Sequence, residues 1–417
     1  MRKKDYIRYM KFWDTIEETN KETFDYEVMK KKFIDNLNYL KTMSVEEQTL
    51  YKKWIEWNDD RVANMKRLPV LQQHYDLLWK PTDLTNKELT ISEINSLEPF
   101  VEIVDENPKE ATRWTEIRKL IHTMEFQANP GRNVKIYVKD RTTGKILGQI
   151  CLGSDITSLG VRDEYIGWNK EDKFKKGKLN CTTIATTIVS TQPFGYNFLG
   201  GKLIAALATA PEIRQYWKQK YDNILIGVGT TSLYGIHSQY NGIPHFKTLG
   251  ESKGKISLKP DDKVYDPWHQ WLKENRAEWY KKNIMDERAR NGANMGYERN
   301  GPVSGIKQKI IQAIYKEFGI KSNTYDHGFQ RGVYFAQMYE NGNDFLCDKI
   351  TEDKLVIKDK FQKGNEYTIA WWKDKAIKRY NKLYEENKIK PEVLFYVDAI
   401  GLNWEQMKHK YLKEVGR

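Results

Sequence analysis

The period of the apolar positions changes twice along this chain. Through residues 1–80 they recur at helical spacing, as at Leu50, Tyr51, Trp54 and Ile55, behind a Ser44-Val45-Glu46-Glu47 run of capping-box form. Pro81 ends that region, and residues 82–96 read as a connector with a short helix capped by Thr85 and Glu88. From about Pro99 strand and helix patterns alternate. Residues 114–124 suit a helix, and Val134-Lys135-Ile136-Tyr137-Val138 alternates as a half-buried strand. Arg141-Thr142-Thr143-Gly144 is a turn, and residues 145–150 return as the hairpin partner. Further strands are expected at 182–190 and 224–228, joined by one helix from about 201 to 218. Past Pro260 helices return: two within 260–301, an amphipathic one over 304–318 stopped by Gly319, one over 371–390, and a short final one. The dense block from His327 to Phe335 interrupts them. The pattern predicts an α/β (α+β) protein with a helical N-terminal region at 1–95, an α/β domain at 96–260 and a basic, mostly helical C-terminal region at 261–417.

Composition narrows the partners. The 13 Trp and 25 Tyr indicate packed cores rather than a disordered tail. No apolar run approaches the roughly 20 residues of a membrane helix. Met1-Arg2-Lys3-Lys4 leads into Asp5 rather than an apolar signal region, and Cys151, Cys181 and Cys347 are too far apart for a disulfide framework. A cytoplasmic protein of a bacterial cell or phage-infected host, without a membrane partner, is the expectation. The net charge of +12 favours polyanions, with DNA expected and RNA the alternative.

Candidate chemistry clusters between Arg162 and Lys255. Asn197 and the Gly200-Gly201-Lys202 turn follow a strand and open a helix, so they suit either the phosphates of a donor coenzyme or close helix–strand packing. Thr231, Ser232, Tyr234 and His237 lie beyond the next strand, where open α/β sheets place ligands. Tyr234 suits a general acid, and Asp163 or Glu251 a proton acceptor, with Arg162 beside the substrate. His237 and His245 with Glu251 have the residue types of an Fe or Zn site, at a spacing that matches no standard metal motif, so no metal is expected. Residues 249–255 offer an anion-binding turn without Walker spacing. Arg331, Lys375, Lys378 and Arg379 are the candidates for phosphate contact.

Several of these residues carry a resemblance. Arg162-Asp163 leading into Ile166-Gly167-Trp168, the Asn197 turn, Trp217 and Tyr221, Tyr234-Gly235, and Leu249-Gly250 with Gly254-Lys255 resemble the DruA-like family, named for a component of the Druantia anti-phage system. The order helix, hairpin, strand, glycine turn, helix, strand also resembles the acyltransferase fold called GNAT, which implies a GNAT-like central mixed sheet. Together they imply a DNA-associated protein of phage or anti-phage biology. The sharpest version is a transferase that moves an acyl-type group from a coenzyme A-type donor to a DNA base, as attributed to Mom-like phage proteins. Asn197, Gly200, Gly201 and Lys202 would then bind the donor, and Arg162, Thr231, Ser232 and His237 the acceptor. The alternative is a nucleic-acid-binding module that recruits or blocks a partner such as a helicase or nuclease.

Overall fold

The computed structural model describes residues 24–58, 61–126, 131–233, 235, 238–252, 257–286, 306–326, 330–391 and 400–415. These fall into two compact units, one drawn from residues 1–42 and 257–327 and the other from 43–256 and 328–417. The first is helical, with helices Tyr26–Lys41, Asp262–Asn275, Ala277–Tyr280 and Ile306–Glu317. Its centre is aromatic: Trp268 meets Phe24, Tyr26 and Phe318 edge-on at 5.0, 5.0 and 4.6 Å, an arrangement that ring quadrupoles favour. Gly319, at φ +68°, takes the left-handed turn expected after the amphipathic helix.

The second unit holds one mixed sheet of seven strands, so the fold is α/β. The strands are β1 (Pro99–Ile103), β2 (Asn133–Asp140), β3 (Ile146–Ser154), β4 (Thr182–Ser190), β5 (Gly227–Ser232), β6 (Lys247–Glu251) and β7 (Gly332–Gln337). Their spatial order is β1-β2-β3-β4-β5-β7-β6, with β4 and β5 parallel and every other neighbour antiparallel. The β2–β3 hairpin and β4 lie where alternation places them. The strand expected at 224–228 begins instead at Gly227; Ile224, Leu225 and Ile226 are an apolar lead-in, tied to the sheet as Ile226 N–H donates to Cys181 O at 2.7 Å and Ile226 O accepts from Met338 N–H at 2.9 Å. The single helix expected over 201–218 is two, Gly200–Leu207 and Pro211–Tyr221, since Pro211 has no N–H to continue the first. Residues 249–251 of the expected anion-binding turn are strand β6, and the block after Gly332 is the buried strand β7.

Helices cover both faces. Asn107 caps Pro108–Ile121 by accepting from Lys109 and Glu110 N–H, and Pro108 fits its first turn. That helix packs Trp114 and Ile117 against Tyr137 and Cys151, and Trp114 Nε1 donates to Ile136 O at 2.9 Å. On the opposite face Gly200–Leu207 buries Leu203, Ile204 and Leu207 against Ile136, Ile150 and Ile188. The long helix Gly364–Glu385 lies there too, burying Thr368, Trp372, Ala376, Tyr380 and Leu383 at helical spacing. Trp372 Nε1 donates to Phe198 O at 2.8 Å, and Tyr380 hydroxyl to Leu84 O at 2.7 Å.

At the edge of this unit, Ser44 and Glu47 form the expected reciprocal capping box, at 2.8 and 3.1 Å. The expected Thr85 cap is replaced by Asn86, which accepts from Leu89 N–H, while Thr85 bonds Asp83. Among the described residues no helix is long and apolar enough to cross a membrane.

Candidate functional site

The parallel pair β4–β5 shares backbone pairing at Thr182 with Gly227, Thr183 with Val228 and Ile184 with Gly229, and the Thr230 hydroxyl then donates to Ala185 O at 3.3 Å. Both strands then run on, β4 to Ser190 and β5 to Ser232, without further backbone pairing to each other. A residue inserted in β4 opposite Cys151 and Leu152 of β3 makes a bulge, and bulges bend and twist the strand that carries them. The opening holds a cleft of about 1940 Å³. Typical small-molecule pockets have about 300–1,000 Å³, so there is room for a large ligand or for two. Its floor is Ile184 to Ser190 of β4, and its far wall includes Leu50, His122 and Met124.

The first lip follows β4 and contains Gln192, Gly195, Tyr196, Gly201 and Lys390. The two neighbouring glycines differ in what they face. A methyl group on Gly200 would lie 2.3 Å from Cδ1 of buried Phe194, so Gly200 lets the helix close on its own core. On Gly201 it would meet the Gln239 amide oxygen at 2.4 Å, at the cleft surface. Asn197 is fully buried: its amide nitrogen donates to Pro193 O and Lys390 O, and its oxygen accepts from Lys390 N–H. It therefore pins the segment carrying Lys390 beside the turn. Lys202 donates to Gln239 O at 3.2 Å and to Asn241 O, strapping the loop after β5 onto the glycine helix. Of these four expected donor-binding residues, Gly201 lines the cleft and the other three serve its framework.

The second lip follows β5 and contains Thr231, Ser232, Glu251, Gln330 and Arg331. Register builds it, because Ser232 pairs with Gly332 of β7 and Gly332 pairs with Glu251 of β6. Gly250, at φ +103°, permits the β6 irregularity that ends at Glu251, a conformation other residues rarely adopt. Ser252 N–H donates to Arg331 O at 2.8 Å and its hydroxyl accepts from Arg331 N–H at 3.1 Å, fixing the arginine backbone. Burial pushes the Arg331 guanidinium below its ordinary pKa. Tyr234 and His237, expected at this lip, lie outside the described residues.

Arg162, expected beside the substrate, and Asp163, expected as a proton acceptor, sit on the short helix Gly160–Ile166, and neither lines the cleft. Arg162 is 1% exposed, with Nη1 2.6 Å from Asp155 Oδ1 as an ion pair and Nη2 2.6 Å from Asp163 Oδ1. Lys173 donates to the other Asp163 oxygen at 2.6 Å. Two cations and two carboxylates thus neutralise one another in the interior, an anchoring network in place of a substrate contact. His245 is likewise no partner for Glu251. It is buried beside Phe361, 3.1 Å from Thr368 Oγ1, and its pKa is pushed down to about 4 by burial and then by Lys360.

His122 went unnoticed in the sequence, where nothing distinguishes it from any residue ending a helix. It caps Pro108–Ile121, and its Nδ1 accepts from Met124 N–H at 2.9 Å, which leaves Nε2 to carry the proton of the neutral ring. Burial, then Arg118 and Lys53, hold its pKa well below the ordinary value. The ring is therefore held in its neutral form at the cleft wall. On the helix Gly364–Glu385, Lys375 is exposed and Lys378 pairs with Asp374 at 2.8 Å. Arg379 lies over the ring of cleft-lining Tyr196 at 5.2 Å, with Lys390 over the same ring at 4.8 Å, so this helix brings charge to the first lip.

Sheet and cleft define a mixed α/β protein with a ligand-sized opening between two parallel strands. Residues 58–348 match the family described as Druantia protein DruA, and the chain belongs to that family. It is 26% identical over 233 residues to the Druantia protein DruA of Escherichia coli (strain UMEA 4076-1), covering 52% of this chain and 53% of that protein. The chain thus spans about half the length of this curated relative. No solved structure matches it significantly.

Proposed function

We propose that this protein acts on nucleic acid in phage defence, transferring an acyl-type group from a coenzyme A-type donor to an amino group of a DNA base. The observation that carries this reading is the β4–β5 pair that separates after three residue pairs, with a glycine turn on one side of the opening and an acid on the other. The chain fits a donor at the first lip: Gly195 and Gly201 leave room that side chains would fill, and Arg379 and Lys390 bring positive charge to Tyr196. A coenzyme A-type donor held there by Gly195, Gly201, Tyr196 and Lys390 would supply a thioester acyl group and carry away the thiol on transfer to the acceptor nitrogen. Glu251 takes the proton that the nitrogen loses, and the neutral His122 donates a hydrogen bond across the cleft. Lys202 straps the Gln239–Asn241 loop beside the glycine turn.

The test is mass spectrometry of nucleosides digested from the DNA of cells expressing the protein, compared with Gly201→Trp and Glu251→Gln. A base adduct present only with the unaltered chain is expected. Unmodified DNA, with DNA still retained by the purified protein, would replace this reading with a binding module that recruits a partner enzyme.

A further inference from the structure

The second lip joins an acid and a base that do not neutralise each other. Arg331 and Glu251 line the same cleft, one residue apart across the β6–β7 pairing, yet no ion pair joins them. Among the described residues neither the guanidinium nor the carboxylate has a hydrogen-bond or ion-pair partner. Other buried or half-buried arginines each have at least one partner. Arg162 meets two aspartates, Arg132 donates to Asn180 O at 2.8 Å, and Arg214 donates to Phe361 O at 3.1 Å. The Arg331 side chain is half-buried, and an anionic ligand would give its guanidinium the charged partner it lacks among the described residues.

Resting on the acyl-transfer reading for its acceptor, we propose that Arg331 grips a backbone phosphate of a single-stranded nucleic acid, setting the adjoining nucleotide against Glu251. Three placements support the acceptor over the donor as the source of that phosphate. Arg331 follows the β5–β7 side of the opening, whereas the glycine turn, Tyr196 and Lys390 follow β4. Among the described residues Arg331 and Lys390 are the Lys and Arg side chains lining the cleft, so each lip carries one. Thr231 and Ser232 also line the cleft after β5, residue types suited to a sugar-phosphate chain. A strand entering between the lips presents one nucleotide at a time, and Arg331 sets its register.

The experiment uses the full chain and a short fluorescein-labelled single-stranded DNA, with anisotropy followed over a range of salt. Arg331→Gln is expected to reduce the slope of log K against log salt by about 0.7, the loss of one phosphate contact, and Arg331→Lys to keep it. Coenzyme A binding, followed by thermal shift, is expected to be the same in all three proteins. An unchanged slope in Arg331→Gln, or an absence of DNA binding by the unaltered chain, overturns the proposal. A loss confined to coenzyme A binding also overturns it, by giving Arg331 to the donor. A slope change in a protein that binds no coenzyme A would sustain the Arg331 contact while removing the transferase reading.

Discussion

Gly200 and Gly201 are adjacent and chemically identical, yet alanine at each should act on a different property. A Cβ on Gly200 would sit 2.3 and 2.6 Å from Cδ1 and Cε1 of Phe194 and 3.1 Å from its carbonyl oxygen. The Phe194 ring has little room to retreat, since it is fully buried with Trp79 at 5.4 Å and Trp372 at 5.3 Å. Overpacking of this kind costs about 1–3 kcal/mol, offset by at most about 1 kcal/mol from the better helix propensity of alanine. A net loss of about 1–2 kcal/mol is therefore expected for Gly200→Ala. At Gly201 the nearest atoms are Oε1 and Cδ of Gln239, at 2.4 and 3.3 Å, the end of a side chain that can rotate. Rotating that side-chain end away limits the cost to about 1 kcal/mol before the same propensity gain. Gly201→Ala should thus unfold nearly as the parent does, with its donor binding altered. Urea unfolding followed by tryptophan fluorescence measures both variants. Equal losses in the two, or a neutral Gly200→Ala, would refute the assignment of one glycine to the core and the other to the cleft.

Three further outcomes are expected. His245 has a folded pKa of about 4 against 6.5 for the free side chain, so the unfolded chain binds the extra proton between these values. Stability should fall as pH drops from about 6.5 towards 4, by about 3 kcal/mol in all and about 2 kcal/mol by pH 5, and His245→Met should flatten that part of a urea-midpoint profile. Arg162→Met removes the cation between Asp155 and Asp163 and should cost about 3–5 kcal/mol, seen as a large drop in melting temperature; a drop near zero would show that the carboxylates tolerate its loss. Glu251→Gln should leave melting unchanged, because its carboxylate has no partner among the described residues, while lowering transfer by about 10²–10⁴-fold in a radiolabelled-donor assay; an equal rate would remove the proton from Glu251.

Local pattern and long-range pairing divide what the sequence makes legible. The β2–β3 hairpin, β4 and the long basic helix follow from alternation, a turn and an apolar stripe, all contained in short windows. Strand β5 does not, because Gly227-Val228-Gly229-Thr230 has weak strand character and owes its conformation to β4 and β7 on either side. Strand β6 is hidden for the same reason, its Gly250 reading as a turn. The site is less legible than the sheet. Arg162 next to Asp163 suggested a reactive pair, and only the fold brings in Asp155 and Lys173 to neutralise it. Arg331 and Glu251 lie far apart in the chain, and the Glu251–Gly332 register that unites them leaves no local signal.

The charge of +12 is a guide to association and a poor guide to position. On and just beyond the helix Gly364–Glu385, Lys378 faces Asp374 at 2.8 Å, and Lys382 and Lys388 face Glu386 at 3.8 and 2.9 Å. Such exposed pairs contribute only about 0.2–1 kcal/mol and weaken with salt, so a polyanion can exchange into them at little cost. They suit loose retention of a strand in many registers. Arg331 differs because its charge is recessed, its backbone is held by Ser252, and among the described residues no carboxylate pairs with it. On the proposed reading, a contact of that kind would add little to total affinity against a surface of lysines but would fix which nucleotide lies beside Glu251. Loss of Arg331 should therefore scatter the position of modification along a DNA strand more than it weakens DNA binding, and loss of Lys375 and Lys378 should do the reverse.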